Sequence, residues 1–289
     1  MDNSTRSSGV EGEFSAPGPI LCAHLIREVD AKLLQLLVSL RPDEWDVQTV
    51  APEWKVRDVT AHLLDTALRK LSMVRDCWFA EQTAIRCPEE LVALVNRLNR
   101  EGVTVYRRLS PSVLISLMAI ACRDCAEYHE SLDPFAPAAF AVSWAGEERS
   151  LNWFDTAREL TERWHHQQQI RLATGRPGLM IPELYHPVLD CFMRGLPYAF
   201  RRFEASPGTM VRVEISGDCG GVWQIRREAA GWALVMPKDR WDSRTLVPQE
   251  IAWLLFTKGI RREEAEMKVR IEGDRALGLR ALELTAIVA

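Results

Sequence analysis

The stretch Asn152–Pro177, NWFDTARELTERWHHQQQIRLATGRP, decides how this chain is read. It predicts one long helix. Asn152 can cap the start. Gly175 followed by Arg176-Pro177 stops it, because glycine accepts the left-handed C-terminal cap and proline cannot continue a helix. Glu162 and His166 stand four residues apart, so their side chains leave the same face one turn from each other. A carboxylate and an imidazole so placed can hold one divalent metal ion. Glu159 and Gln169 extend this polar row, while Phe154, Leu160, Trp164 and Ile170 supply apolar surface beside it. Unpaired buried charge is costly, so polar groups mixed with bulky apolar ones need a reason to be there.

One helix offers two ligands, and a metal site needs at least one more. The best candidate is His62, in WKVRDVTAHLLDTALRKLSMVRD. Val56, Val59, Leu63 and Leu64 form the apolar face of that segment, and His62 borders it. His62, Glu162 and His166 together would make a three-ligand site with open positions, the arrangement of a catalytic rather than a structural zinc. The competing reading is a buried histidine bonded to a nearby carboxylate, with Glu162 on a solvated helix face. A rival ligand set is the Glu-x-x-His spacing of di-iron bundles, present as Glu162/His165 and again as Glu183/His186. Pro182 and Pro187 bracket the second copy, and no bridging Glu is evident on two further helices. That leaves His165 as a supporting or surface residue.

The context PEWKVRDVTAHLLD around His62 and the run ELTERWHHQQQIRLATG resemble the metal-binding bundle of the mycothiol-dependent maleylpyruvate isomerases, within the broader DinB-like superfamily. Trp54, Val56-Arg57-Asp58 and Ala61-His62-Leu63 carry the first part of the resemblance. Glu162, Trp164, His166, Gln168, Ile170 and Gly175 carry the second. The resemblance implies that His62, Glu162 and His166 are the metal ligands. Many members of that family have Asp three residues after the second histidine, where this chain has Gln169. The likeness extends over about residues 19–289, with the C-terminal part resembling a sterol-carrier-like domain. The implied fold is α+β and multidomain: an up-down helical bundle followed by a smaller α+β domain.

Composition limits the alternatives. A chain of 289 residues with 47% hydrophobic and 26% charged residues can bury a sizeable core in one or two domains. A net charge of −4 leaves no basic footprint for nucleic acid. No apolar run approaches the roughly 20 residues of a membrane span. Residues 1–18 read as a disordered leader rich in Ser, Gly and Pro, without the apolar core of a secretory signal. The seven cysteines are an odd number scattered through helical patterns, which places reduced thiols in the cytoplasm. Their contexts predict buried, unreactive sulfur.

In chain order, helices are expected over residues 21–40, from Lys55 to Phe79, from Pro88 to about Leu109, and over 110–131. The last contains Cys122-x-x-Cys125 and His129. No second CxxC accompanies them, so two small buried thiols are favoured over zinc or redox chemistry. His24 reads as a surface or packing residue. Residues 132–150 form a Pro- and Ala-rich loop with a short extended piece, Phe140–Trp144, suited to a lid or pocket wall. A connector helix follows from Pro182 to Phe203, closing a bundle over residues 19–204. In residues 205–289 the pattern changes to period two. TMVRVEIS, GVWQIRR and GWALVM predict an antiparallel meander, MKVRIEG another strand, Val247–Phe256 a helix and Asp274–Val288 a final helix.

The resemblance also implies chemistry. A low-molecular-weight thiol such as mycothiol would enter the open metal position, lose its proton, and add to a small electrophile, giving isomerisation or S-transfer. In these isomerases an Arg of the C-terminal domain serves activity, on a helix resembling IAWLLFTKG. Here the basic residue is Lys258, with Arg261 and Arg262 shortly after, and Lys258 or a neighbouring Arg would hold a substrate carboxylate. The partners so implied are a thiol and a small-molecule substrate, with no nucleic acid and no membrane, on a monomer or homodimer. The alternative is a non-catalytic, metal-dependent small-molecule binding protein.

Overall fold

A computed structural model describes residues 14–81 and 83–287. Its N-terminal part is helical. α1 (Ala23–Ser39), α2 (Val56–Lys70), α3 (Pro88–Tyr106), α4 (Pro111–Ser131) and α5 (Asn152–Thr174) form the bundle. α1 packs on α4 and α5, and α2 packs on α3, α4 and α5. α6 (Pro182–Met193) and the single turn α7 (Leu196–Ala199) follow, then a five-stranded sheet. Among the described residues no helix is long and apolar enough to cross a membrane.

α5 is the centre of the bundle. Phe154, Leu160, Trp164 and Ile170 are buried, and so are Asp155, Glu159, Arg163, His165, His166 and Gln167. A helix buried on every side must pair its charges internally. Arg163 Nη1 lies 2.8 and 2.9 Å from the two carboxylate oxygens of Asp30 in α1. Lys70, in the last turn of α2, puts Nζ 2.5 Å from Asp155 Oδ2. Gln167 Nε2 donates to the carbonyl of Val29 at 3.0 Å. These bonds lock α1, α2 and α5 into one register. Gly175 ends α5 in the left-handed conformation at φ 64°, as glycine allows. Asn152 is not the cap, however. Leu151 occupies that position, and Asn152 Nδ2 instead donates 2.9 Å to the carbonyl of Asp133, tying down the preceding loop.

The sheet has the order β3-β2-β1-β4-β5, from β1 (Met210–Ser216), β2 (Gly221–Arg227), β3 (Trp232–Val235), β4 (Ser243–Pro248) and β5 (Arg270–Gly273). β1 pairs antiparallel with β2 and parallel with β4. Three short helices, α8 (Gln249–Phe256), α9 (Arg262–Glu266) and α10 (Arg275–Ala281), complete this part. One apolar core runs from α1, α5 and α6 through Trp164, Tyr185 and Phe192 into Val211, Val213, Trp253 and Phe256. Trp164 stacks on Tyr185 at 4.3 Å, and the Tyr185 hydroxyl donates 2.8 Å to the carbonyl of Gln249. A second core fills the space among α1, α2 and α4.

Several expectations are corrected. Residues 243–248 form β4, and the helix expected from Val247 begins at Gln249. The inward residues of β4 are Ser243, Thr245 and Val247, so a hydropathy alternation has little to find. α10 closes on these hydroxyls: Ser243 Oγ donates to Asp274 O at 2.7 Å, and Gly278 leaves the space that a Cβ would take from Ile271. Among the described residues no strand pairs with Phe140–Trp144; Ser143–Ala145 is a 3-10 turn. α2 stops at Lys70 and passes into a π-type turn, Leu71–Arg75. The connector breaks between Met193 and Leu196. α10 is shorter than expected, and Val288 lies outside the described residues. Residues 14–18 of the expected leader are held rather than loose. Ser15 O accepts from Met236 N, and Pro17 O and Gly18 O accept from Arg194. Residues 1–13 lie outside the described residues.

Candidate metal centre

The loop before α2 sets the first wall. Gln48 Nε2, Thr49 N and Thr49 Oγ1 all donate to the carbonyl of Trp54, at 3.0, 3.2 and 2.7 Å. Asp58 Oδ2 accepts from the backbone N–H of Lys55 at 3.0 Å, capping α2 one turn before His62. The Trp54 ring then lies 4.6 Å from the His62 ring and 5.9 Å from that of His166.

α5 faces this wall with Glu162 and His166. One ligand atom from each of His62, Glu162 and His166 falls within 4.8 Å of the others, the one such cluster among the described residues. His166 Nε2 is 3.5 Å from Glu162 Oε2. The His62 and His166 rings meet edge to face at 4.5 Å. His62 is 4% exposed and its Nδ1 has no hydrogen-bond partner. A buried imidazole with an orphan nitrogen, clustered with a second imidazole and a carboxylate, fits a divalent cation of the zinc type.

The supporting groups act in the same sense. Gln169 Oε1 lies 3.0 Å from His166 Nδ1. An amide oxygen there accepts the Nδ1 proton, so the Nε2 lone pair faces the cluster, the task an aspartate would perform. His165 is buried, not on the surface, and its Nδ1 sits 2.9 Å from the carbonyl of Thr161. Burial pushes the His165 pKa down to about 3, with His166 acting the same way. Burial likewise holds the His62 imidazole well below its usual range, so it is neutral at pH 7. Burial would push the Glu162 carboxyl up. The neighbouring His166 and the guanidinium of Arg158 outweigh it and hold Glu162 below the usual carboxylate range, ionised at pH 7. Of these, Arg158 carries its charge at every working pH.

Arg158, Lys70 and Asp155 were not singled out by sequence reasoning. Arg158 Nε and Nη2 donate to Asp155 Oδ1 at 3.1 and 2.8 Å, and Lys70 holds the other oxygen of the same carboxylate. The spacing Asp155-x-x-Arg158 was the available signal; the long-range partner Lys70 had none.

The other sequence candidates lie apart. His186 directs Nδ1 at the carbonyls of Cys219 and Gly220, beside Trp223, which removes the second Glu-x-x-His pair from any di-iron site. Cys122 and Cys125 are buried free thiols, and burial pushes the Cys125 pKa up to about 11. His129 bonds Thr156 through Nδ1. His24 is exposed. Cys77 and Cys87, expected to be buried, are exposed because they lie in the segment between α2 and α3 rather than within a helix. Lys258 is exposed past the end of α8 with a left-handed φ of 59°, and no carboxylate among the described residues pairs with it.

A helical bundle carrying a His-Glu-His cluster, continued by a mixed sheet, is thus the class of protein defined by fold and site. The chain belongs to the family of the mycothiol maleylpyruvate isomerase N-terminal domain, whose sequence profile matches residues 26–171, just over half its length. Two solved structures share the fold: the mycothiol-dependent maleylpyruvate isomerase, and a histidine-to-alanine mutant of it. Each superposes with a TM-score of 0.50 over 81% of this chain and 86% of the other, at 11% and 10% identity respectively. No curated protein sequence matches significantly.

Proposed function

We propose that this chain holds one divalent ion, of the zinc type, through His62, Glu162 and His166, and catalyses thiol-dependent isomerisation or S-transfer on a small electrophile. The observation that carries the proposal is the meeting of these three ligand atoms, from α2 and α5, within 4.8 Å in a chain of this family. When bound, such an ion lowers the pKa of a thiol that enters an open position. The chain's residues prepare the place. Gln169 fixes the His166 tautomer, neutral His62 presents a lone pair, and ionised Glu162 supplies the one negative charge. The Trp54 ring covers one side. A low-molecular-weight thiol, mycothiol or a relative, supplies the sulfur, since Cys22, Cys122, Cys125, Cys191 and Cys219 are buried.

A substrate carboxylate needs a cation. Lys258 keeps that assignment by resemblance. Arg158 is its competitor, one turn from Glu162 on α5, with Nη1 free of protein hydrogen bonds among the described residues. Lys258→Ala and Arg158→Gln separate the two, because the one that binds substrate raises KM.

The second reading is metal-dependent binding without turnover. Two cavities, of about 490 and 340 Å³, lie away from His62, Glu162 and His166 and could hold a small molecule apart from the ion. The decisive experiment assays candidate electrophiles with mycothiol, bacillithiol and glutathione on the metal-loaded protein and on a variant with all seven cysteines replaced. Turnover that requires added thiol and survives cysteine replacement supports catalysis. A metal that raises Tm with no turnover by any thiol supports the second reading.

A further inference from the structure

A cavity of about 340 Å³ lies where the start of α1, the end of α4 and the start of α5 meet, lined by Leu21, Cys22, Ala23, His129, Trp153 and Thr156, among others. Its size falls in the range of small-molecule sites, roughly 300–1,000 Å³. The first turn of α1 is left open there. Cys22 occupies the cap position without a side-chain hydrogen bond, and no acidic residue stands in the first turn. The N–H of Leu25 bonds the carbonyl of Cys22, but among the described residues the N–H groups of Ala23 and His24 have no acceptor. A helix concentrates positive potential on such groups.

A second unpaired group belongs to the same wall. His129 is 1% exposed, its Nδ1 lies 3.1 Å from Thr156 Oγ1, and its Nε2 has no hydrogen-bond partner. Thr156 Oγ1 makes no other hydrogen bond among the described residues. A buried hydroxyl with one partner is satisfied by donating to it, which places the ring proton on Nε2. Burial lowers the His129 pKa to about 4, so the ring is neutral at pH 7. Nε2–H is therefore a buried donor with nothing to receive it. The one carboxylate of the wall, Glu130, is already engaged: Arg27 Nε and Nη2 donate to its two oxygens at 3.0 and 2.7 Å. Burial pushes the Cys22 thiol up to about 12, so it adds no negative charge. Leu21, Leu132, Pro134 and Trp153 make much of the remaining wall apolar.

We propose that this cavity binds a small monocarboxylate with an apolar body. One carboxylate oxygen accepts from the N–H groups at the start of α1 and the other from His129 Nε2–H, while the ring or chain lies against Leu132, Pro134 and Trp153. Donors with no free acceptor among them select an anion over a neutral amide. The apolar remainder of the wall selects against a strongly hydrated anion such as phosphate. The site is separate from His62, Glu162 and His166 and independent of any activity there.

The test is calorimetric titration of the full chain with benzoate, with benzamide and inorganic phosphate as controls. One benzoate should bind per chain, and both controls should bind about tenfold more weakly or worse. His129→Phe removes the Nε2 donor and should weaken benzoate by about tenfold or more. Leu21 is 57% exposed, so Leu21→Glu should keep the parent Tm. Its carboxylate beside the uncapped turn should weaken benzoate by about threefold. This variant decides the matter if His129→Phe does not fold. His166→Ala should bind benzoate as the parent does, which separates the cavity from carboxylate binding at the metal. No saturable benzoate binding, benzamide or phosphate bound as tightly as benzoate, unchanged affinity in Leu21→Glu or in a folded His129→Phe, or loss of binding in His166→Ala would each overturn the proposal.

Discussion

Gln169 shows how much of the site is decided by single atoms. Its Oε1 is the partner of His166 Nδ1, and an alkyl side chain of similar size would leave that N–H unpaired and the ring free to rotate. Gln169→Leu should therefore weaken metal affinity by about 10- to 100-fold, whereas Gln169→Glu should retain it. Competition with a chromophoric chelator measures this directly. Equal affinity for Gln169→Leu and the parent would remove Gln169 from the account. The residue was visible in the sequence as part of the polar row and as a departure from its relatives; that an amide oxygen can replace a carboxylate oxygen at this position needed the geometry. Glu162 and His166 were legible because helical spacing alone puts them together. His62 was a candidate from its place beside the apolar face of its own segment, and the resemblance strengthened it, since nothing in local spacing links α2 to α5.

At the scale of elements, α5 is the part most fully written in the sequence, down to its stop at Gly175. Its buried charges have a cost, because each is stable only with its partner. Lys70 and Asp155 are 7% and 2% exposed and form the tie between α2 and α5. Lys70→Met leaves Asp155 with Arg158 alone and should destabilise the fold by about 3–5 kcal/mol, while the double change Lys70→Met with Asp155→Leu should cost less than Lys70→Met alone. Urea unfolding of the parent, both single variants and the double variant reads this out. A double variant no more stable than Lys70→Met would contradict the pairing. β4 was the least legible element. Its inward Ser243 and Thr245 look polar in any alternation, and they are tolerated only because Ser243 Oγ bonds Asp274 O and Thr245 Oγ1 bonds the carbonyl of Gly278. That compensation comes from residues about thirty positions away, beyond the reach of a local pattern.

At the scale of the molecule, the change from helical to strand periodicity near Thr209 suggests a boundary at 204/205, and we keep this division as a proposal. The continuous core of Trp164, Tyr185, Phe192, Val211, Trp253 and Phe256 adds an expectation: the helical part should not fold independently of the sheet. A chain truncated after Glu204 would expose Tyr185 and Phe192 to water, with an expected loss of roughly 1.5–3 kcal/mol for each such side chain uncovered. It should lose cooperative unfolding or aggregate, as judged by calorimetry and size-exclusion chromatography. A truncated chain that melts with the parent Tm would contradict this. The central claim remains the cluster of His62, Glu162 and His166, and elemental analysis after purification tests it most directly. About one zinc or similar divalent ion should be found per parent chain, and far less in folded His62→Ala and His166→Ala. Full metal occupancy in both variants, with the far-ultraviolet spectrum of the parent retained, would contradict it.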